Sequence, residues 1–501
     1  MGLRFLARHT SSHGLLNSFN CDNSVVRGQV LPSLLQNGSW PPFEAGSIAS
    51  TLVASPWVRM DQRKLTQQGL TEQHPLASTC EQIVTGVRGV ASQAANMNWS
   101  VSRQLSCTRF FSPGNVELFL TMFFQIWHPN WPVFHRPTFD PTLKSPKLIA
   151  ALSLIGASLS PERKQYDQAM VWLEIVENWI FQDPYFSEDI IPQTDDYSQA
   201  LQVRQRLDMV QAAYAIVLLM NWEGDTKTRL RARRTRFPDI VYVARSLSPI
   251  AIPGTSEKEP FAPRILYDHW TAFALREECI RTLLYTFLLD SAFVMFYDMC
   301  PRMVINELQF SLAARDEHFN APDAEAWFMC TQAAAHKSVA CSQVTMSQSI
   351  SMIMSEDFGA TQWEVFEQMS PLNLFAIASA FHNLIYHHQN GPDQGSRSLP
   401  ITRGLRNWFL IWSHCNFFST TDDYLSFVGR KSQSKLGFFL HADEYWCLAN
   451  LFCRQLERGI NPHQAFGDTH SQISQGMSDM GKIHSLILRF QDVDLGEIVL
   501  S

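Results

Sequence analysis

Residues 128–139 of the chain read HPNWPVFHRPTF, and they follow directly on an apolar helical stripe. The stripe has large apolar side chains at offsets 0, 3, 4, 7 and 11, which share one face of a helix: Val116, Phe119, Leu120, Phe123 and Trp127. Pro129 and Pro132 end this helix, because proline disfavours helical geometry in the residue before it. The sequence therefore predicts a core helix that leads into a turn rich in aromatic side chains.

Helical apolar patterns recur along the rest of the chain, whereas the alternating pattern typical of strands is scarce. The helical segments that we expect after the turn are residues 148–159, 166–181, 207–222, 269–296, 371–388, 405–415, 441–456 and 477–490. No internal repeat of fixed period is visible. The sequence therefore predicts an all-α fold with many helices.

Composition divides the chain into four segments. Residues 1–110 are polar, rich in Ser, Gln and Asn, and interrupted by prolines, so we expect a largely disordered N-terminal arm with short helices, for example near residues 80–93. The segment GPDQGSRSLP is typical of a loop. The expected divisions are a low-order arm at 1–110, a helical domain at 111–390, a loop at 391–400 and a C-terminal helical extension at 401–501.

The charge and hydrophobicity of the 501 residues argue against several classes of protein. Hydrophobic residues make up 46% and charged residues 17%, so most of the chain is expected to bury a core. The net charge of −7 is opposite in sign to that of a dedicated nucleic-acid binder. The apolar stretch 148–159 is shorter than the roughly 20 residues that cross a bilayer, so we expect no membrane partner.

The ten cysteines show neither a zinc-site spacing nor a disulfide framework. The closest two, Cys447 and Cys453, are six positions apart, whereas zinc fingers need paired ligands on a tight turn. Catalytic motifs of the GxSxG, phosphate-loop and GxGxxG types are absent, and GASLS at 156–160 lacks the second glycine of the first type. We therefore expect no catalytic residue, no metal ligand and no cofactor.

The run FFQIWHPNWPVFHRPTFDP, residues 123–141, resembles the opening motif of the regulatory domain of fungal zinc-finger transcription factors. That family has an aromatic helix followed by His-Pro, an apolar residue, a proline and then His-x-x-x-Phe. The residues of this chain that fill those places are His128, Pro129, Pro132, His135 and Phe139. The resemblance implies that they are structural residues of the family motif.

Further stretches resemble the same family, in the same order. One is a helical pattern with residues at offsets 0, 3, 7, 11 and 20: Trp270, Phe273, Glu277, Arg281 and Asp290. Another fills three family positions within residues 301–327: Glu307, Ala321 and Trp327. Weaker matches follow at 372–388 and 441–449, so the resemblance extends over residues 116–455.

The resemblance implies a nuclear, all-helical regulatory domain of the kind found in regulators of metabolic or secondary-metabolite genes. The zinc finger of the family lies N-terminal to this domain, but residues 1–110 contain only Cys21, Cys80 and Cys107, which cannot form one. We therefore expect a transcription regulator that lacks its own finger and is truncated or recruited to DNA by a partner protein. A small-molecule inducer between the helices also stays open.

The segment KTRLRARRTR, residues 227–236, is the one local concentration of positive charge. It lies between predicted helices, so we expect it to be exposed. Its basic residues are Lys227, Arg229, Arg231, Arg233, Arg234 and Arg236. A nuclear-import signal, a phosphate-contacting patch and a plain solvated face remain open as interpretations.

Three sets of polar residues are expected to be structural. Glu277 and Arg281 are spaced i, i+4 with the acid first, which predicts an ion pair that orients helices. His128 and His135 have no carboxylate or cysteine at metal spacing, so we expect hydrogen-bonded structural histidines. The remaining histidines of interest form no HExxH element, and we expect them at a solvated helix end: His382, His387 and His388.

Two other classes of function stay open from the sequence alone. One is a helical metal-dependent hydrolase that uses the histidines, and stoichiometric zinc or iron in the purified protein would favour it. The other is a cytosolic helical scaffold with no transcriptional role, which exclusion from the nucleus would favour.

Overall fold

The computed structural model describes residues 3–19, 74–93, 99–186, 196–252, 263–335, 344–391, 399–415, 437–457 and 480–490. Within these ranges the regular structure is helical, and the β-type pairing is limited to an isolated bridge between Ser311 and Thr345. The prediction of an all-α, multi-helix fold is confirmed.

The helices are named here in chain order. The first group comprises α1 (Arg4–Ser11), α2 (Leu15–Ser18), α3 (Ala77–Gln93), α4 (Val101–Phe110), α5 (Pro113–Met122), α6 (Pro146–Ser158) and α7 (Arg163–Phe181). The second comprises α8 (Asp196–Glu223), α9 (Thr226–Arg231), α10 (Phe237–Arg245), α11 (Ser248–Ala251), α12 (Pro263–Tyr297), α13 (Asp316–Phe319) and α14 (Ala324–Ala335). The third comprises α15 (Met346–Ile353), α16 (Ala360–Glu367), α17 (Pro371–Asn390), α18 (Leu399–His414), α19 (Ala442–Glu457) and α20 (Gly481–Phe490).

Helix α6 lies at the centre of the first group. Every residue from Leu148 to Ser158 is buried, and the helix packs against α5, α7 and α8. The approach of α5 is close at Gly156, where a Cβ atom would overlap the carbonyl oxygen of Phe119. The continuous apolar run of α6 is thus explained by neighbours on several sides.

We call residues 74–252 and 344–457 the two halves of the fold. Helix α12 joins them, because it packs against α8 and α10 of the first and against α17 of the second. Its segment Leu266–Tyr297 is long and apolar enough to cross a membrane by those two criteria. However, 94% of the apolar window is buried inside the protein, which is the environment of a core helix.

Residues 3–19, which we call the N-terminal hairpin, pack onto helices from the end of the chain, α19 and α20. The carboxylate of Glu444 in α19 accepts hydrogen bonds from the backbone N–H groups of Phe5 (3.0 Å) and Leu6 (2.9 Å). These are two of the N–H groups that a helix start leaves without intrahelical partners. The acidic side chain therefore caps α1 from a distant part of the sequence.

Residues 3–19, within the arm expected at residues 1–110, form two short helices that pack into the core. These helices bury Leu6 and Leu15 completely, a pattern that the polar average of the arm conceals. The helix expected near residues 80–93 is present as α3. Residues 20–73 and 94–98 of the arm lie outside the described residues.

We predict that Gly156→Ala lowers the free energy of unfolding by about 1–3 kcal/mol, because the added methyl group meets backbone that cannot move cheaply. Urea denaturation followed by circular dichroism measures the change. The matched control is Gly89→Ala in α3, where a Cβ atom meets nothing within 4 Å. That variant is expected to gain about 0.5–1 kcal/mol, since alanine is the better helix former. Equal stability of the two variants would contradict the close packing of α5 on α6.

A second prediction concerns pH. Burial raises the pKa of Glu444 from 4.5 to about 7, although the N–H groups of Leu6 and Phe5 oppose the shift. A raised pKa in the folded state means that stability is fully present below pH 4.5 and is lost as the pH rises through 7. Burial lowers the pKa of the nearby His441 from 6.5 to about 4, so its contribution to stability rises with pH up to about 6.5. This contribution is opposite in sign to that of Glu444 and does not come from the Glu444 carboxyl group.

We therefore expect the melting temperature to fall between pH 5 and pH 8 by a larger amount in the wild type than in Glu444→Gln, which has no carboxylate to ionise. Thermal unfolding at the two pH values measures the difference. Glu356→Gln serves as the control, since the Glu356 side chain is 83% exposed. A pH response that Glu444→Gln leaves intact would rule out Glu444 as its source.

Candidate functional site

The turn at residues 128–139 is built from two short helical turns that follow α5. A π turn, Phe123–Trp127, extends α5, and 3₁₀ turns follow at His128–Asn130 and Arg136–Thr138. His128 Nε2 lies 3.2 Å from the carbonyl oxygen of Phe134, and His135 Nδ1 lies 2.8 Å from Thr138 Oγ1. Both imidazoles thus hold the turn together from within.

Both histidines of the turn are neutral near pH 7. Burial lowers the pKa of His128 well below its ordinary value, with the charges of Arg136 and Arg281 adding to the effect. Burial and the charge of Arg281 lower the pKa of His135 to about 3. Neutral imidazoles accept and donate one hydrogen bond each, which suits a structural role.

The aromatic side chains of the turn form a packed cluster. Phe124 meets Phe139 edge to face at 4.8 Å between ring centroids, and Phe134 meets Phe139 at 5.5 Å. Trp131 stacks on Tyr214 of α8 at 4.8 Å. Edge-to-face and offset contacts are the favoured arrangements of aromatic pairs, so the cluster fixes the turn against α8.

Arg281 of α12 is fully buried and connects three parts of the chain. Its guanidinium pairs with Glu277 in the same helix (2.9 Å) and with Asp316 of α13 (3.2 Å). It also donates to the carbonyl oxygens of Pro132 in the turn (3.1 Å) and Ala314 (2.9 Å). The delocalised fork of arginine satisfies four acceptors at once, which a lysine could not do.

Glu278, the neighbour of Glu277, makes a second set of contacts with the turn, at His135. Its carboxylate accepts a hydrogen bond from the backbone N–H of His135 (2.7 Å) and lies 3.5 Å from Lys144 Nζ. Lys144 lies 3.1 Å from Asp208 of α8. Burial raises the pKa of Glu278, and the charge of Lys144 opposes this shift. Glu277 and Glu278 together hold the turn against α12.

Two of the motif residues that follow Arg281 in the sequence, Asp290 and Glu307, make polar contacts away from the turn. Asp290 accepts hydrogen bonds from the N–H groups of Arg302 and Met303, both at 2.8 Å, and burial raises its pKa to about 6. Glu307 accepts from Arg245 Nε at 2.9 Å. These contacts lie beyond the turn and tie the end of α12 to the segment after it.

The two tryptophans of the motif, Trp270 and Trp327, belong to a small hydrophobic cluster with Ala321. Trp270 also meets the ring of His135 edge to face at 5.4 Å. The start of α12 is thereby joined both to α14 and to the turn. Most residues that carry the family resemblance therefore surround one structural element, the turn at 128–139.

The turn also contacts the C-terminal part of the chain. Asn130 Oδ1 accepts a hydrogen bond from the N–H of Phe438 at 2.9 Å. The neighbouring Gly437 approaches so closely that a Cβ atom there would overlap the carbonyl oxygen of Pro129. This contact requires glycine, and it connects the turn to residues more than 300 positions away in the sequence.

The basic segment 227–236 is largely occupied by contacts within the protein, which corrects the expectation that it is exposed. Glu177 of α7, which is fully buried, pairs with Arg231 Nη2 at 2.6 Å and Arg236 Nε at 2.8 Å. Arg233 is buried, and its guanidinium lies 4.1 Å over the ring of Tyr297. The arginines turn inward because a buried carboxylate must be paired.

The exposed residues among the six basic positions are Lys227 and Arg234, whereas Arg229 is half-buried. A phosphate or an import receptor approaching from solvent therefore meets two full charges rather than six. The interpretation of the segment as an import or phosphate patch stays a prediction.

His382 also differs from the expectation of a solvated helix end. It lies within α17, is 2% exposed, and its Nε2 is 3.0 Å from the carbonyl oxygen of Tyr445 in α19. The position faces the helix packed against α17, whereas His387 is exposed. Within the described ranges, no three His, Cys, Asp or Glu residues are grouped so that they could hold a metal ion.

Sequence reasoning missed the residues that pair with the motif from outside it, notably Glu278, Lys144, Asp208 and Glu177. A partial signal for Glu278 was available, because two adjacent glutamates on an otherwise apolar helix need buried partners. Lys144, between helices, and Asp208, within α8, carry no such signal, since isolated charges are ordinarily solvated.

The sequence of this chain was compared with known protein families and curated proteins. The family description "Fungal specific transcription factor domain" matches residues 120–409. A curated relative, "Transcription factor verF" of Penicillium polonicum, is 31% identical over an alignment of 481 residues that covers 91% of this chain and 64% of the relative. The chain thus spans slightly less than two thirds of that relative's length. No solved structure matches the chain.

We predict that Arg281→Met lowers the free energy of unfolding by about 3–5 kcal/mol, because it leaves Glu277 buried without its partner. Chemical denaturation measures the loss. Glu277→Leu combined with Arg281→Met is expected to cost less than the sum of the single changes, since neither charge is then left alone.

The matched control is Arg163→Ala, which breaks a pair with Asp167 at the same i, i+4 spacing and the same 2.9 Å distance. That pair is exposed, so the expected loss is below about 0.5 kcal/mol. Similar losses at both positions would contradict the role of Arg281 as the anchor of the turn.

Proposed function

Because the chain belongs to the family of proteins that carry the fungal-specific transcription factor domain, we propose that it is a transcription regulator. The observation that supports the proposal is the family match over residues 120–409, which contains the whole turn and the Arg281 contacts. A relative that aligns with 91% of the chain bears the name of a transcription factor.

The finer part of the proposal concerns the targets and the route to DNA. We propose control of metabolic or secondary-metabolite genes in the nucleus. The net charge of −7 and the absence of paired cysteines argue against sequence-specific DNA binding by residues 1–501 themselves. DNA would be reached through a partner protein or through a zinc finger outside these residues.

The proposed mechanism is non-catalytic. The helical domain has two halves joined by α12, and the turn at 128–139 contacts both of them. A partner or small molecule that binds one arrangement of these halves better than another would shift the balance between active and inactive regulator. The Arg281 contacts would make the change between arrangements cooperative.

The proposal is tested by fusing residues 1–501 to a DNA-binding domain of known specificity and measuring transcription of a reporter gene. We expect a change in reporter expression, either up or down, compared with the DNA-binding domain alone. Arg281→Met in the fusion should abolish the change, whereas Glu356→Gln, which alters a side chain that is 83% exposed, should not. A folded, nuclear fusion with no effect on the reporter would contradict the proposal.

The two routes to DNA are separated by sequencing the transcript upstream of the codon for Met1. An in-frame exon with paired cysteines and histidines would show a finger that acts in cis. An in-frame stop codon would instead direct attention to a partner protein that carries the regulator to DNA.

We further propose that nuclear import uses the exposed residues of the basic segment. The double variant Lys227→Ala, Arg234→Ala is expected to lower the nuclear fraction of a fluorescently tagged protein without lowering its stability, because neither side chain is buried. Microscopy and thermal unfolding measure the two effects. Arg163→Ala, which removes an exposed charge elsewhere, is the control. An unchanged nuclear fraction would place the import signal outside this segment.

A further inference from the structure

An aromatic cavity of about 40 Å³ lies between α8, α12, the turn and the N-terminal hairpin. Its walls include Trp127 and Trp131 from the turn region, Trp222 from α8, and Tyr285 from α12. The hairpin closes the cavity with Phe19, whose ring meets that of Trp127 edge to face at 5.0 Å. A space of this size holds on the order of three water molecules.

Four hydrogen-bonding groups at this cavity are unsatisfied. The indole N–H groups of Trp127, Trp131 and Trp222 and the hydroxyl of Tyr285 are buried, with no hydrogen-bond partner among the described residues. Each such group costs about 1–3 kcal/mol when it is left unpaired. Four of them among the residues that line one cavity call for acceptors that the described part of the chain does not supply.

A larger pocket of about 540 Å³, open to solvent, lies beside the cavity. Trp222 lines both spaces, and it is the one described residue that they share. The N-terminal hairpin also contributes to both, with Phe19 inside and Asn17 outside. The volume of the outer pocket falls in the range of about 300–1,000 Å³ that is typical of small-molecule sites.

The side chains around Trp222 give the two spaces different characters. Outside, Glu223 accepts hydrogen bonds from Tyr166 and from the N–H of Leu15, and Arg229 contributes a positive charge. Inside, the walls are mainly aromatic rings and aliphatic side chains. A molecule that occupies both would have an apolar ring in the interior and a more polar part towards solvent.

We propose that the aromatic cavity and the outer pocket form one binding site for a small planar molecule that carries hydrogen-bond acceptors, such as an aromatic ketone. The ring would enter when the indole of Trp222 rotates away and joins the two spaces. Its carbonyl oxygen, which lies beside the ring in the interior, would then accept hydrogen bonds from the Trp131 indole N–H and from the Tyr285 hydroxyl. The aromatic walls would pack against the edges and faces of the ring.

Binding at this site does not depend on the role in transcription, whereas its use to control transcription rests on the function proposed above. The site also explains why the hairpin is built into the core. A ligand that displaces Phe19 or Trp222 changes the packing of the N-terminal hairpin, which contacts α19 and α20 at the other end of the chain.

The test uses the full chain with ¹⁵N-labelled tryptophan side chains and two probes of the same shape. Acetophenone carries a carbonyl acceptor, and α-methylstyrene has a methylene group in its place. We expect acetophenone to shift the Nε1–H signals of Trp127, Trp131 and Trp222 and to bind roughly tenfold more tightly than α-methylstyrene, the effect of one hydrogen bond. The signals are assigned by single Trp→Phe variants.

Two variants test the groups directly. Tyr285→Phe and Trp131→Phe keep an aromatic ring but remove a donor, and each should weaken acetophenone binding by roughly fivefold to tenfold. Trp172→Phe is the matched control, because it removes another buried, unpartnered indole N–H at a place away from the cavity. It should leave the affinity unchanged.

The proposal is overturned if neither probe shifts these signals, or if both bind equally and the two variants have no effect. The cavity would then contain buried water only. A change in reporter expression without probe binding would contradict the ligand site but support the role in transcription. Probe binding without a change in reporter expression would support the ligand site but contradict the role in transcription.

Discussion

The fold depends on one fully buried guanidinium, that of Arg281. An arginine cannot lose its charge in a protein, so burial is tolerated only where carboxylates and carbonyl groups surround it. Here those groups come from α12 itself, from the turn at 128–139 and from residues 314–316, which places three separate parts of the chain at one point. The packing of the aromatic turn, and with it the junction between the two halves, follows from this requirement.

The helices could be predicted from sequence because their apolar periodicity is a local property. The start of α5 at Pro113 and the run of α6 follow from proline placement and unbroken apolar residues. The spacing of Glu277 and Arg281 also predicted their ion pair. The long-range contacts of Arg281 could not be predicted, since Pro132 lies 149 positions away and no local pattern encodes that distance. His382 was misplaced for a related reason, because burial there is decided by α19, more than 60 positions later.

Several charged side chains of this protein form ion pairs in the interior, although the composition suggests that they lie at the surface. The basic segment 227–236 has the composition of a surface patch, yet Glu177 draws Arg231 and Arg236 inward. The pair Glu278 and Lys144 shows the same behaviour at the turn. A segment's net charge therefore describes its surface poorly when a buried carboxylate lies within reach, and residue-level placement is needed before any interface is assigned to it.

The contact between the N-terminal hairpin and Glu444 has a consequence for biosynthesis. Phe5 and Glu444 are 439 positions apart, so at about 5–20 residues per second the ribosome needs roughly 20–90 s to deliver the second after the first. Throughout that interval Phe5 and Leu6 of α1 lack the native partners that α19 and α20 supply. Helix α1 therefore becomes native long after it has been synthesised, and part of its apolar surface stays uncovered in the nascent chain while the intervening residues are added.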